Sequence, residues 1–251
     1  MARQKGIFPL KGTIGNVTFY KSKDGYLARE KGDLDGQRIS TDPAFQRTRE
    51  NGAEFGRAGA AGKVLRNALR GLLQNASDKS LVPRLVKEMM KVVQADAVNP
   101  RGERNVIDGE AALLEGFEFN ANSKLSTSLY APFTGTIDRM AGTLTVDIPS
   151  FVPANMVAAP SGTTHFKIVS AGAAIDFEQE TYEVNENSSL TLPVDNNATA
   201  AINQVATVTA NSTKPLFLVL GILFYQEVNG TMYPLKNGAY NALALVKVSG
   251  S

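Results

Sequence analysis

The sequence predicts an α+β protein in which a basic N-terminal arm and a helical hairpin precede a C-terminal antiparallel β-sandwich. Two observations predict this class. Apolar residues recur at three- and four-residue spacings between 42 and 97, and short alternating runs separated by Gly, Pro, Asn and Ser begin near Phe117. A polar segment with Pro100 and Gly102 separates the helical pattern from the strand-like pattern. The predicted regions are an arm with a short β-hairpin over 1–41, a helical region over 42–104 and a β-sandwich domain over 105–251.

The arm contains two short apolar runs around Asp24-Gly25, and an Asp-Gly pair between such runs is a strong signal for a hairpin turn. An isolated hairpin is marginal in water, so the arm is expected to lie against its own body or a neighbouring subunit. A stretch that looks flexible, 31–41, joins it to the helical region. The predicted self-association residues of the arm are Phe19, Tyr20, Tyr26 and Leu27.

Two helices are predicted after the arm. The first begins at Asp42-Pro43, where Asp caps free N–H groups and Pro fits the first turn, and it runs to about Gln74. The second runs from about Leu81 to Ala97. Glycines on the first helix cost about 1 kcal/mol each relative to Ala, which predicts either close approach of another backbone or a break at one or two of them. These self-association candidates are Gly52, Gly56, Gly59 and Gly62.

The C-terminal half shows strand-like alternation between turn residues, which is typical of a sandwich or an open barrel. Asn229-Gly230 lies between two such runs and predicts a tight hairpin. The candidate strands are 134–137, 142–148, 164–169, 179–184, 189–194, 204–209, 216–228, 231–235 and 242–248.

The residue types that carry most enzyme chemistry are scarce. The chain has no cysteine, and its single histidine, His165, lies in a strand-like run. We therefore predict that His165 is an ordinary strand residue, neither a catalytic group nor a ligand of zinc or haem. The glycine-rich run 56–64 departs from a phosphate-binding loop, because Val64 stands where Ser or Thr would hold magnesium. We therefore expect no enzyme activity, no cofactor and no metal.

Export and membrane signals of the usual kinds are not visible in the sequence. The N-terminal apolar stretch is broken by Pro9, whereas a secretory signal needs about 7–15 apolar residues. The longest apolar run, 216–225, is shorter than the roughly 20 residues of a membrane helix. The expectation is cytoplasmic synthesis without membrane insertion, with release by lysis or a signal-independent route if the protein acts outside the cell.

Charge is divided unevenly along the chain. Residues 1–110 carry 20 Lys+Arg and 13 Asp+Glu, whereas residues 111–251 carry 6 and 11. Three interpretations stay open: nucleic-acid contact through the basic residues of the first helix, head-to-tail attraction in which the arm meets the acidic run 176–186, or surfaces with no electrostatic role. Nucleic-acid binding is the less favoured interpretation, because Arg is also a good helix former and a common partner of carboxylates.

Several stretches of the chain resemble one protein family. They are KGTIGNVTFYK at 11–21, FQRTRENGAEFG at 45–56, FYQEVNG at 224–230, YPLKN at 233–237 and AYN at 239–241. On these motifs the chain resembles an uncharacterised family of small proteins common in Bacteroidetes-type bacteria. The resemblance spans nearly the full chain and implies no activity, cofactor or catalytic residue that transfers to it.

These observations favour a non-enzymatic structural subunit whose partners are copies of itself, assembled into a filament, a tube or a phage-like particle through an exchanged arm. Two alternatives stay open. One is a surface or extracellular binding module that holds a glycan or a protein on the loops of the sandwich. The other is a nucleic-acid-associated protein that uses the basic helix.

Overall fold

The structure, a computed structural model, describes residues 2–6, 8–22, 25–30 and 36–250. It contains helices and antiparallel strands, so the predicted α+β class is confirmed. Its contacts divide the chain into two units, Met1–Arg49 and Glu50–Ser251, whereas the sequence analysis placed boundaries at 41/42 and 104/105. No division follows the helical region, because its helices and the later strands share one hydrophobic cluster.

The N-terminal unit contains four strands, β1 (Ala2–Arg3), β2 (Gly12–Ile14), β3 (Val17–Ser22) and β4 (Gly25–Glu30). They form an antiparallel sheet in the order β1-β4-β3-β2. β3 and β4 pair from Val17 opposite Glu30 to Ser22 opposite Gly25, so the predicted hairpin is confirmed. Asp24 of the predicted turn lies outside the described residues.

The stretch that looks flexible in the sequence includes a short helix, α1 (Gly36–Thr41), so that expectation was wrong for these six residues. The Gln37 carbonyl accepts hydrogen bonds from the hydroxyls of Ser40 and Thr41 at 2.7 and 2.9 Å, which holds the turn. Residues 31–35 of that stretch lie outside the described residues. Asp42 follows and caps a 3₁₀ turn, Pro43–Phe45, by accepting the Ala44 N–H at 2.9 Å, as the sequence predicts.

The remaining helices are α2 (Gln46–Ala68), α3 (Arg70–Leu73), α4 (Leu81–Gln94), α5 (Leu125–Ser128) and α6 (Pro153–Met156). Both long predicted helices are therefore present. The first is interrupted at Leu69, whose backbone leaves the helical region, and the glycines before it do not break the helix. The described part of the chain contains no helix with the length and apolar character needed to cross a membrane.

The C-terminal strands are β5 (Thr134–Asp138), β6 (Thr143–Ile148), β7 (His165–Asp176), β8 (Thr181–Ser188), β9 (Leu192–Pro193), β10 (Ile202–Thr207), β11 (Leu216–Val228), β12 (Thr231–Pro234) and β13 (Ala242–Ser249). Each lies on or overlaps a predicted strand. β10, β6 and β5 form a three-stranded sheet, and β7 and β11 form the centre of a six-stranded sheet with β8, β9, β12 and β13. The predicted Asn229-Gly230 turn is confirmed, since both residues have positive φ and Val228 pairs with Thr231.

β11 is buried on both faces and determines how the layers pack. Phe217, Val219 and Leu223 join a cluster with α2 and α4. The alternate residues of β11, from Leu216 to Phe224, join a second cluster with the three-stranded sheet. This two-residue period assigns one face of the six-stranded sheet to the helices and the other to the smaller sheet.

The two sheets approach closely where side chains are small or absent. A Cβ at Gly172 of β7 would lie 2.7 Å from the Ala206 Cβ of β10, so this position requires glycine. At the sheet edges, the Asn187 side chain of β8 donates to the Val205 carbonyl of β10 at 3.0 Å. The smaller sheet is thus held to the larger one by apolar contact and by a polar contact at its edge.

Replacing Phe217 with Ala should lower the free energy of unfolding by about 3–5 kcal/mol, because it leaves a cavity between the sheet and the helices. Phe217 is fully buried and its ring meets that of Phe177 edge to face at a centroid distance of 6.1 Å. Urea denaturation measures the change. The control is Leu190→Ala, at an exposed position, which should change the free energy by no more than about 0.5 kcal/mol. Equal costs for both substitutions would contradict this packing.

Candidate self-association site

The four predicted arm residues lie in the central strands of the N-terminal sheet, and all four are half-buried. Tyr20 pairs directly with Leu27, whereas Phe19 pairs with Ala28. Because neighbouring residues of a strand point to opposite faces, Tyr20 and Leu27 share one face, while Phe19 and Tyr26 lie on the other. The structure therefore brings the four residues into one hairpin but divides them between two faces.

The N-terminal unit has no buried residue among its described positions, 2–6, 8–22, 25–30 and 36–49. Its contacts include backbone ladders, side-chain hydrogen bonds and pairs of cations with aromatic rings, such as the Arg29 guanidinium 5.6 Å from the Tyr20 ring centre. The described residues of the second unit instead supply two hydrophobic clusters. The described residues of the arm thus form a sheet without a hydrophobic core of their own.

A loop between β1 and β2 presents the most exposed aromatic ring of the described residues. Gln4 fixes this loop: its amide donates to the Leu10 and Leu27 carbonyls at 3.2 and 3.0 Å, and its carbonyl oxygen accepts the Leu10 N–H at 2.8 Å. The Phe8 ring is 84% exposed at the tip. The sequence analysis included this segment in the predicted arm but did not select Phe8, although an aromatic residue before Pro9 and between two lysines was a visible signal.

The four predicted glycines of α2 lie in two different environments. A Cβ at Gly62 would lie 3.6 Å from Leu85 of α4, so this glycine faces a neighbouring helix of the same chain. At Gly52, Gly56 and Gly59 a Cβ would meet nothing within 4 Å. Phe55, beside Gly56, is 61% exposed. Three of the four glycines therefore lie on an open helix face.

A groove runs along the segment 113–118 in the second unit and consists of two cavities of about 320 and about 260 Å³. The two cavities share Glu115, Gly116 and Glu118 as lining residues. The smaller one is largely apolar, and its other lining residues are Leu125, Ser126, Phe133, Ala244, Leu245 and Val246. The larger cavity is bounded also by α4, through Arg84, Lys87 and Glu88. We call the whole feature the Glu118 groove.

The floor of the Glu118 groove is fixed by backbone pairing with β13. The Gly116 and Phe119 N–H groups donate to the Leu245 and Leu243 carbonyls, each at 2.8 Å. Arg84 braces the same segment by donating to the Glu118 carbonyl at 2.6 Å. A rigid backbone on one side and a helix on the other make this a preformed groove.

Glu118 stands between the two cavities and is half-buried. Burial raises the pKa of its carboxyl, although the carboxylate accepts the Leu125 N–H at 2.9 Å. A carboxyl with a raised pKa in a groove is a frequent property of binding and catalytic sites. The sequence carried no signal for it, because its surroundings come from segments far apart in the chain.

A second polar cluster ties the 99–104 segment, where the sequence analysis placed a boundary, onto α2. Arg104 donates to both carboxylate oxygens of buried Glu54, at 2.7 and 2.9 Å, and the Gly102 N–H adds a third bond at 2.8 Å. The Arg104 hydrogen bond is the main cause that lowers the pKa of Glu54. Arg57, one of the basic residues of the first helix, donates to the Gly102 and Arg104 carbonyls. This cluster has a structural role.

His165 lies in β7, as predicted, with its Nδ1 2.9 Å from the Thr164 hydroxyl and its Nε2 3.7 Å from Glu227. The acidic run is partly engaged within the chain, since Asp176 pairs with Lys214 at 3.5 Å and Glu183 accepts the Thr209 N–H at 2.9 Å. Among the described residues, no group of three or more His, Asp or Glu side chains is placed to hold a metal ion.

Comparison with known proteins finds no matching family model, no similar curated protein and no similar solved structure. The resemblance to the Bacteroidetes-type family therefore stays a prediction.

Substitution by leucine should distinguish the buried glycine of α2 from an open one. Gly62→Leu should lower the free energy of unfolding by about 1–3 kcal/mol, because the new side chain meets Leu85. Gly59→Leu, one turn away, should leave stability unchanged or raise it by up to about 1 kcal/mol through helix propensity. Urea denaturation measures the free energy of unfolding of both variants. A strongly destabilised Gly59→Leu chain would contradict an open helix face.

Glu118→Gln should raise the free energy of unfolding near neutral pH. Because the folded protein raises the pKa of Glu118, the contribution of this carboxyl to stability is full below its unfolded pKa of about 4.3 and is lost as pH rises through the folded pKa. Glutamine keeps an oxygen for the Leu125 N–H and does not titrate. The two chains should therefore have equal stability at low pH and diverge as pH rises in urea denaturation. A variant less stable at every pH would contradict the assignment.

Proposed function

We propose that the chain is a non-enzymatic structural subunit that assembles into a homopolymer by exchanging its N-terminal arm. The observation that carries this proposal is the contrast in burial: the described arm residues include none that is buried, whereas the body has two hydrophobic clusters. Burial of apolar surface is the main favourable term in folding and association. A four-stranded sheet whose described residues include tyrosine, phenylalanine and leucine but form no core is stabilised by covering an apolar surface, and we propose that this surface belongs to another copy.

Arm exchange between copies leads to an open polymer when the contact joins two different surfaces. In such a head-to-tail contact each copy offers its arm to one neighbour and accepts the arm of another, and a rotation that does not close yields a filament or a tube. The two C-terminal sheets, which we propose to form a β-sandwich, provide a rigid body for such an assembly. A phage-like particle is the closed alternative.

The open helix face is proposed as a second contact between copies. Gly52, Gly56 and Gly59 leave the backbone of α2 accessible, and the exposed Phe55 ring lies beside them. Small residues allow another helix to approach closely, while an aromatic ring adds apolar area to bury. Arm exchange joins neighbours in series, and this face would add contact between them.

One observation favours a second candidate, a binding module. The Glu118 groove is preformed and combines an apolar cavity with a few polar groups, which is typical of ligand sites. In that case the groove would hold a protein segment or a glycan, and the arm would not be required for binding. Assembly is preferred because it accounts for the arm, whereas ligand binding in the groove does not.

Deletion of residues 2–30 should abolish polymerisation and leave a folded monomer, because the clusters that stabilise the body contain only residues from Ala58 onward. Light scattering and electron microscopy measure assembly, and circular dichroism checks the fold. Full-length protein should also assemble less at high salt, since the arm is basic and surface ion pairs weaken as salt screens them. A truncated chain that folds and polymerises like the full-length chain would show that the arm is not the connector.

A further inference from the structure

We propose that the loop carrying Phe8 docks in the Glu118 groove of a second copy of this chain, with the Phe8 ring in the apolar cavity beside Phe133. This inference rests on the proposed arm exchange and names the surface that receives the arm.

The loop has the properties of a preorganised anchor. Gln4 joins one end of the loop to the other through two hydrogen bonds to Leu10, and a third ties it to Leu27 of β4, which reduces the conformational freedom that docking has to remove. The Phe8 side chain at its tip is 84% exposed and Leu10 is 47% exposed. Buried aromatic anchors on rigid backbone supply much of the energy of protein interfaces.

The groove has the complementary shape and polarity. Its smaller cavity, about 260 Å³, is walled by buried Leu125 and Leu245 and opens beside Phe133, which is 37% exposed. Backbone hydrogen bonds to β13 fix the floor of this cavity. An aromatic ring that enters this cavity would exchange water for apolar contact on several sides.

Charge favours the same pairing. Lys5 and Lys11 lie on either side of the Phe8 loop, and the lining of the smaller cavity includes two carboxylates, Glu115 and Glu118, and no cation. Within the same chain Glu115 has Lys247 at 3.6 Å, and Glu118 has Lys124 and Arg84 as charged neighbours, so an arm lysine would join cations that are already near both carboxylates. Asp176 and Glu183 of the acidic run 176–186 likewise have partners in their own chain, so the choice of the groove rests on its apolar cavity together with its two carboxylates.

Loop and groove are different parts of the chain, so in a head-to-tail arrangement each copy places its loop on one neighbour and receives the loop of another in its groove. Each copy then has one loop and one groove to offer, and the contact repeats. This asymmetry permits a complementation test that uses two full-length variants. Phe8→Ser removes the anchor, and Phe133→Lys places a cation at the mouth of the cavity, where the arm lysines approach.

Each variant alone should polymerise about ten- to a hundredfold more weakly than the unmodified chain, which is the expected loss for one buried aromatic anchor. An equimolar mixture should form a one-to-one pair that grows no further, because the intact loop of the Phe133→Lys chain enters the intact groove of the Phe8→Ser chain. Analytical ultracentrifugation measures the species. Leu190→Ser, at a position in the second unit that is also 84% exposed, is the matched control and should polymerise normally.

The outcomes separate this inference from the proposed function. If both variants polymerise normally while deletion of 2–30 prevents assembly, the arm is the connector but the loop and the groove are not its contacts. If each variant is monomeric and the mixture stays monomeric, the pairing of loop with groove is wrong. If the unmodified chain is monomeric at every concentration, both the proposed function and this inference are overturned.

Discussion

The burial of β7 and β11 on both faces is the constraint on which the rest of the second unit depends. A strand that is apolar on both sides must be covered on both sides, and here the helices cover one face and the three-stranded sheet the other. Glycines at 172 and 221 mark where neighbouring groups come too close for a side chain. The groove follows from the same arrangement, because the segment 116–119 pairs with β13 at the edge of the sheet and is braced by α4.

The N-terminal unit is organised on a different physical basis. Its strands pair in register and its hairpin is well formed, yet its described residues include none that is buried. Hydrogen bonds alone contribute little net stability, since the unfolded chain makes them with water. Apolar burial would stabilise a sheet of this kind, and this is the physical reason for proposing assembly through the arm.

The sequence predicted well those features that depend on local pattern. The Asp42 cap, the Asn229-Gly230 turn, both long helices and the presence of each C-terminal strand follow from periodicity and turn chemistry, although β7 continues seven residues past its predicted end at 169. It did not predict the bonds between Glu54 and Arg104, which are 50 residues apart, or the raised pKa of Glu118. Those features depend on which segments meet in the fold, and no local signal encodes that.

The most direct test of arm exchange is amide hydrogen exchange of the full-length chain at several protein concentrations. Arm exchange predicts that the amides of β3 and β4 become more protected as concentration rises, whereas the amides of β7 and β11 are protected at every concentration. Protection of the arm that does not change with concentration, in a chain that nevertheless polymerises, would contradict the claim that the arm joins one copy to the next.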